Sequence, residues 1–384
     1  MKIIRSATVP ISLNTFCKGM LRELDDKYGE VIALSSAEDE LYVLGNREKV
    51  RTIAVDMCRQ MSIAKDFVAL FRLIKVFMKE RPDMVHSMTP KAGLLCMMAA
   101  WITRVPRRVH TFTGLVFPTS TGIKRSILMF TDWLTCACAT HIIPEGEGVK
   151  RDLLDNCITS KSLKVLGYGN VRGVDLARLD NRRDDIQVHA KEICSQLRLQ
   201  DKFVFLFVGR LVGDKGINEL VEAFSQLNKD YPDTRLMLVG RYEDELDPIK
   251  DESKDIIKNS PAILELGPKY EDELVAYYAA ADCFVFPSYR EGFPNTVLEA
   301  GAMGLPSIVT DINGSREIVT SGENGIVIPS KSVPALLSSM RQMIENKAEA
   351  VVMGERARTI VASRYEQGFV RKCLYDFYDE ILKQ

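Results

Sequence analysis

The sequence predicts an α/β protein made of two Rossmann-like halves, and three observations carry that expectation. Short apolar runs alternate with helix-length stretches through the first half. The alternation recurs after residue 200, and 384 residues are more than one hydrophobic core normally serves. Parallel strands buried on both faces read as continuous apolar runs. In the first half KIIRSA, VIALSS, TIAVDM, MVHSM, RRVHTF and HIIP have that character; in the second, FVFLFVG, RLMLVG, ILELG, CFVFPS, SIVTD and GIVIP do. Helical patterns lie between most of them, as over Phe16 to Lys27 and Ile63 to Lys79. Leu163 to Asp180 carries three glycines and then turns charged, which places a hinge there. The domains are therefore expected at 1–170 and 171–364. Residues 365–384 are expected to form a helix packing across both, with Phe369, Cys373, Phe377 and Ile381 at four-residue spacing.

Hydrophobic and charged contents of 46% and 27% are those of a soluble globular protein. Nine cysteines without a C-x-x-C pair point to a reduced, cytoplasmic setting. The N-terminal apolar run is too short for a signal peptide, and the most apolar span, Leu94 to Ile102, is far short of the roughly 20 residues of a membrane helix. The net charge of −1 hides an asymmetry: residues 1–170 hold 24 Lys/Arg against 17 Asp/Glu, a net of +7, which leaves −8 for the rest. From Arg59 to Arg108, ten basic residues face three acidic ones, interleaved with Phe67, Phe71, Phe77 and Trp101. That surface either lies on anionic lipid or is a set of solvated helix faces whose aromatics are core. No nucleic-acid motif accompanies the charge.

The most informative segment is PSYREGFPNTVLE, Pro287 to Glu299. Glu291 comes after the apolar run CFVFPS, at the carboxyl end of a parallel strand, where ligands bind in open α/β sheets. Pro294 suits a first helical position, and a helix amino end offers N–H groups to a phosphate. Glu299 then lies further along the same helix, so two carboxylates bracket the turn and can accept hydrogen bonds from sugar hydroxyls. Gly167 and Gly169 do not complete a dinucleotide fingerprint, and no Walker A sequence occurs.

Four pieces in order, GRLVGDKG, DELVAYYAAADCFVFPS, EGFPNTVLE and GLPSIVTDINGSREIV with GENGIVIP, resemble the C-terminal domain of GT4-family (group 1) retaining glycosyltransferases of the GT-B fold. VHSMTPKAGLL and RRVHTFTG resemble that family's N-terminal segments, so the resemblance spans the chain. Its wording is that of enzymes building capsular, O-antigen or exopolysaccharide units. The resemblance implies two Rossmann-like domains facing each other across a cleft, the first binding acceptor and the second donor, with a terminal helix crossing back.

It also implies residue roles. Arg210 and Lys215 correspond to the basic pair on the donor diphosphate. Glu291 and Glu299 correspond to the E-x7-E carboxylates on the transferred sugar and the ribose. Gly292, Phe293, Pro294, Asn295, Thr296 and Val297 would line sugar and diphosphate, and Lys269 and Tyr270 fall where the base is cradled. In the first half Lys91 and Thr113 are the substrate-binding candidates, Lys91 of the PKAG pattern for a phosphate or sugar and Thr113 standing where many members have a histidine; strand alternation puts His110 on the other face. His86 matches a family histidine, while Met88 replaces a second one. The loop Ala7 to Asn14 lacks the family's Gly-Gly pair.

The expected reaction is retaining transfer of a hexose or N-acetylhexosamine from a UDP-sugar to a lipid-linked or growing polysaccharide. Arg210, Lys215 and Glu291 would carry the chemistry. No D-x-D triplet occurs, so no metal and no other cofactor is expected. The expected location is cytoplasmic, with peripheral contact to anionic membrane. A GT-B UDP-sugar epimerase and a non-catalytic partner subunit stand as alternatives.

Overall fold

The structure is a computed structural model that describes residues 1–58, 62–245 and 247–383; Arg59 of the basic stretch lies outside them. It divides into two compact units, residues 1–172 with 370–384, and residues 173–369. The first unit contains strands β1 (Ile3–Ser6), β2 (Val31–Ser35), β3 (Arg51–Ala54), β4 (Met84–Met88), β5 (Arg107–Phe112) and β6 (His141–Pro144). Its helices are α1 (Pro10–Cys17), α2 (Met20–Tyr28), α3 (Asp39–Glu48), α4 (Ile63–Glu80), α5 (Pro90–Ile102), α6 (Gly122–Cys138) and α7 (Glu147–Asp155). The second contains β7 (Phe203–Val208), β8 (Thr234–Val239), β9 (Ile263–Glu265), β10 (Cys283–Phe286), β11 (Ser307–Thr310) and β12 (Gly325–Ile328). With them come α8 (Asp184–Gln196), α9 (Ile217–Asp230), α10 (Asp251–Asn259), α11 (Glu271–Ala279), α12 (Asn295–Ala302), α13 (Ser315–Ile318), α14 (Val333–Glu345) and α15 (Lys347–Arg364). The last helix, α16 (Gln367–Leu382), carries the chain back to the first unit.

Each unit has one six-stranded sheet whose assigned strand pairs are parallel, ordered β3-β2-β1-β4-β5-β6 and β12-β11-β10-β7-β8-β9. Ten of the twelve expected apolar runs contain one of these strands whole; in TIAVDM and RLMLVG the strand begins one residue earlier, at Arg51 and Thr234. Alternation along the strands sorts side chains between two cores in the first unit. Ile4, Val85 and Phe112 face α4, α5 and α6, while Ile3, Met84 and Val109 face α1 to α3 and α16.

Arg5, on the second of these faces, is 1% exposed and, among the described residues, meets no carboxylate. Its guanidinium donates to Tyr378 Oη of α16 at 2.7 Å and to Cys17 Sγ at 3.3 Å, and also meets His86 Nδ1, while its Nε has no partner among the described residues. His86 is thus a core residue, bonded to Tyr378 Oη at 2.5 Å and Thr111 Oγ1 at 2.7 Å. Burial, reinforced by Arg5, holds its pKa well below the ordinary range.

Four local expectations change. The helix expected over Phe16 to Lys27 is two helices, because Gly19 at φ +75° breaks the chain between α1 and α2. The loop expected at Ala7 to Asn14 ends at Val9, since Pro10 opens α1. The terminal helix starts at Gln367, and its buried face is Val370, Leu374, Phe377, Tyr378 and Ile381, with Phe369 exposed. Of the interleaved aromatics, Phe77 is core, at 1% exposure, whereas Phe67, Phe71 and Trp101 are exposed.

Candidate active site

In the second unit β7 and β10 are hydrogen-bonded neighbours, which brings the segments after their carboxyl ends together. After β7 the chain runs through Arg210 to a single turn, Gly213–Lys215, and enters α9 through Gly216 at φ +71°. A Cβ on Gly216 would collide with Pro287 O, so this left-handed position accepts only glycine and holds Lys215 against the β10 end. The turn is braced from both sides. Asp247 Oδ2 accepts from Asp214 N at 2.6 Å, and Arg290 pairs with the Asp214 carboxylate at 3.0 Å.

Lys215 Nζ forms an ion pair with Glu291 Oε1 and lies 5.3 Å from the centre of the Phe286 ring. The fully buried Ser288 donates its hydroxyl to the same Glu291 oxygen at 2.7 Å, which fixes the carboxylate from below. Arg210 binds Glu243 at 2.8 Å. Burial works against its charge, but the Glu243 carboxylate outweighs it, with Asp214 and Glu291 adding to the field, so the Arg210 pKa is raised. Arg210, Lys215 and Glu291 therefore form one charged cluster.

Pro294 is the cap of α12, with extended ψ of 107°, and Asn295 is the first helical residue; the expectation that Pro294 begins the helix is off by one. Its ring leaves no N–H to satisfy there, and its carbonyl accepts from Val297 N at 3.2 Å. The turn before it is held from the side, because a Cβ on Gly314, at φ +72°, would collide with Gly292 O. Glu299 lies about 6 Å along the axis from Asn295 and is only 7% exposed, with Tyr278 Oη 3.3 Å from its Oε2. Gly292, Phe293, Pro294, Asn295, Thr296 and Val297 thus span the turn and first helical residues between the two carboxylates. Lys269 pairs with Glu273 at 2.7 Å just before α11, and Tyr270 caps that helix with its side chain 66% exposed.

Lys91 and Thr113 belong to the first unit. Lys91 is the second residue of α5 and pairs with Asp66 at 2.5 Å; Thr113 is half-buried just past β5. His110 is buried in β5, bonded to Ser87 Oγ at 2.8 Å, and burial pushes its pKa down to about 3. Gly93 of the PKAG segment has a packing reason, since a Cβ there would collide with the His110 ring. Sequence reasoning missed Ser288, Glu243 and Tyr278. The first of these had a visible signal, a small polar residue ending an apolar strand three positions before Glu291.

Among the described residues no cluster of three or more His, Cys, Asp or Glu is placed to hold a metal ion, and no helix is long and apolar enough to cross a membrane. The cysteines are all free thiols.

Comparison with known proteins matches residues 190–360 to the group 1 glycosyl transferases and residues 13–169 to glycosyltransferase family 4. The chain is 29% identical over 386 residues to the capsular polysaccharide biosynthesis glycosyltransferase CapM of Staphylococcus aureus, covering 100% of this chain and 98% of that protein. It is 29% identical over 299 residues to the Escherichia coli UDP-Gal:alpha-D-GlcNAc-diphosphoundecaprenol alpha-1,3-galactosyltransferase, covering 76% and 74%. The crystal structure of Anabaena HepE in complex with UDP matches with a TM-score of 0.81 at 17% identity, over 99% of this chain and 100% of that one, which establishes the GT-B fold. Two doubly wound units with both family halves in sequence order have one reading: the chain belongs to the group 1, family 4 glycosyltransferases.

Proposed function

We propose that the protein transfers a hexose or N-acetylhexosamine from a UDP-sugar to a lipid-linked or growing polysaccharide in surface-polysaccharide synthesis, with retention at the anomeric carbon and without a metal ion. The observation that carries the reading is the grouping of Arg210, Lys215 and Glu291 just before α12. Two fixed cations and a helix amino end suit a diphosphate, and they stabilise charge that develops on the β-phosphate as the sugar leaves. Glu291, held by Ser288, faces the sugar hydroxyls once the diphosphate takes over Lys215. Residues Gly292 to Val297 line sugar and phosphate, Glu299 holds the ribose, and Lys269 and Tyr270 flank the base. Lys91 and Thr113 serve the acceptor side. The names of the Escherichia coli and Staphylococcus aureus relatives support a UDP-sugar donor, a lipid-diphosphate acceptor and a capsular setting. Such an acceptor implies work on the cytoplasmic face of the membrane, in peripheral contact with it.

The test is a panel of UDP- and GDP-sugars offered with a prenyl-diphosphate-linked sugar in the presence of EDTA. Transfer from a UDP-sugar is expected to persist, and Arg210→Ala or Lys215→Ala to lower kcat about 10²- to 10³-fold. A strict divalent-ion requirement, or undiminished transfer by Glu291→Ala, overturns the assignment.

A further inference from the structure

The first unit carries a surface feature that the donor chemistry leaves unused. α4 and α6 both pack on α5, one to each side, and between them lies a groove of about 720 Å³. Its floor is Leu94 and Met98 of α5; its walls are Phe67 and Leu70 of α4 and Ile127 and Leu134 of α6. One end is polar. There Lys91 pairs with Asp66 at 2.5 Å, the Thr8 and Thr89 hydroxyls lie 2.8 Å apart, and Lys124 lines the same groove, so cations outnumber the single carboxylate.

The crests beside the groove are apolar and open to solvent. Phe67 and Phe71 on α4 are 68% and 60% exposed, and Phe130 and Trp133 on α6 are 59% and 48% exposed and stacked at 5.7 Å. Of the cations on these two helices, Lys75 lies 4.9 Å over the Phe71 ring and Lys124 lines the groove, whereas Lys65 and Arg72 face a separate pocket with Asp56 and Arg125 turns to Asn156. Exposed apolar surface on this scale marks a binding site, and aromatics mixed with Lys and Arg are the composition of a helix lying in a lipid interface.

We propose that this groove holds the polyprenyl chain of the lipid-diphosphate acceptor, with its diphosphate toward the Lys91 and Lys124 end. The inference rests on the proposed function, in which the acceptor is lipid-linked. An apolar groove whose polar end carries two lysines against one carboxylate matches an amphiphile with an anionic head. The volume lies within the roughly 300–1,000 Å³ of small-molecule sites, enough for the first few prenyl units. The remainder of a long chain stays in the bilayer, on which the aromatic crests rest.

The test needs neither donor nor turnover. Geranylgeranyl diphosphate, kept below its micelle concentration, is titrated into protein carrying Trp101→Phe, which leaves Trp133 as the one tryptophan reporter. A saturable blue shift of Trp133 emission is expected, weakened at least tenfold by Phe67→Asp and by Ile127→Asp, and absent with inorganic diphosphate. Both substituted residues are well exposed, and thermal melting of each variant checks folding. No binding by the parent protein, equal binding by both variants, or the same shift with inorganic diphosphate overturns the proposal. So does a dimer seen in sedimentation that both variants dissociate, which would give the groove to a second copy of the chain. UDP-sugar binding measured on the same preparation reports separately on the donor reading. Saturable prenyl binding beside transfer only to lipid-free acceptors would overturn the acceptor reading and not the groove.

Discussion

Counted from the first strand of each unit, the two sheets have one order, 3-2-1-4-5-6, yet the ionisable groups on them are arranged in opposite ways. The second unit places Arg210, Lys215 and Glu291 together after the carboxyl ends of its central strands. The first unit buries Arg5, His86 and His110 within its strands and exposes large apolar side chains on α4 and α6 instead. A shared topology therefore says little about chemistry; the residues just beyond each strand decide it.

The largest break in that comparison is expected from Glu291→Ala, which should lower kcat/KM about 10³-fold while leaving the melting temperature within a few degrees. An equal loss from Thr113→Ala in the first unit would place critical chemistry on both sheets. Next, Gly216→Ala meets both a left-handed φ and the Pro287 carbonyl. It should cost about 2–4 kcal/mol of stability by denaturant unfolding, whereas Gly322→Ala, with open space around it, should cost about 1 kcal/mol.

Acid should separate the units. His86 and His110 have depressed folded pKa values, so their contribution is complete above the unfolded value near 6.5 and is lost as pH falls below it, for His110 down to about 3. The loss is about 1.4 kcal/mol per pH unit for each histidine. The second unit has only the exposed His189. Hydrogen exchange at pH 5 should therefore accelerate across β4 and β5 before β7 and β8; equal acceleration contradicts the assignment. The smallest stability effect is expected from Phe71→Ser, within about 0.5 kcal/mol because the ring is exposed. The same change should still weaken binding to anionic vesicles, and unaltered binding removes α4 from the membrane reading.

Strands were the easiest elements to read, because parallel strands covered on both faces must be continuously apolar, and CFVFPS or FVFLFV admits little else. The E-x7-E spacing was equally legible. The partners of the cluster were less so: Glu243 reaches Arg210 and Tyr278 reaches Glu299 only through the fold, while Ser288, three residues before Glu291, left a trace in the sequence. Phe67 and Phe77 show a different limit. They lie ten residues apart on one helix and read alike in sequence, yet only the packing of α4 on α5 turns Phe77 inward and Phe67 out.

The Arg5–Tyr378 bond joins residues 373 positions apart, which sets an order on biosynthesis. At about 5–20 residues per second, Arg5 waits roughly 20 to 75 s for its partner to be made. By then residues 173–369 have all been made and can close on their own. The unit translated first is thus the one completed last, and until α16 docks it holds a buried cation without its phenol. A chain stopped after Phe369 should show a protease-resistant second unit beside a readily digested first one; equal resistance of both would contradict this order.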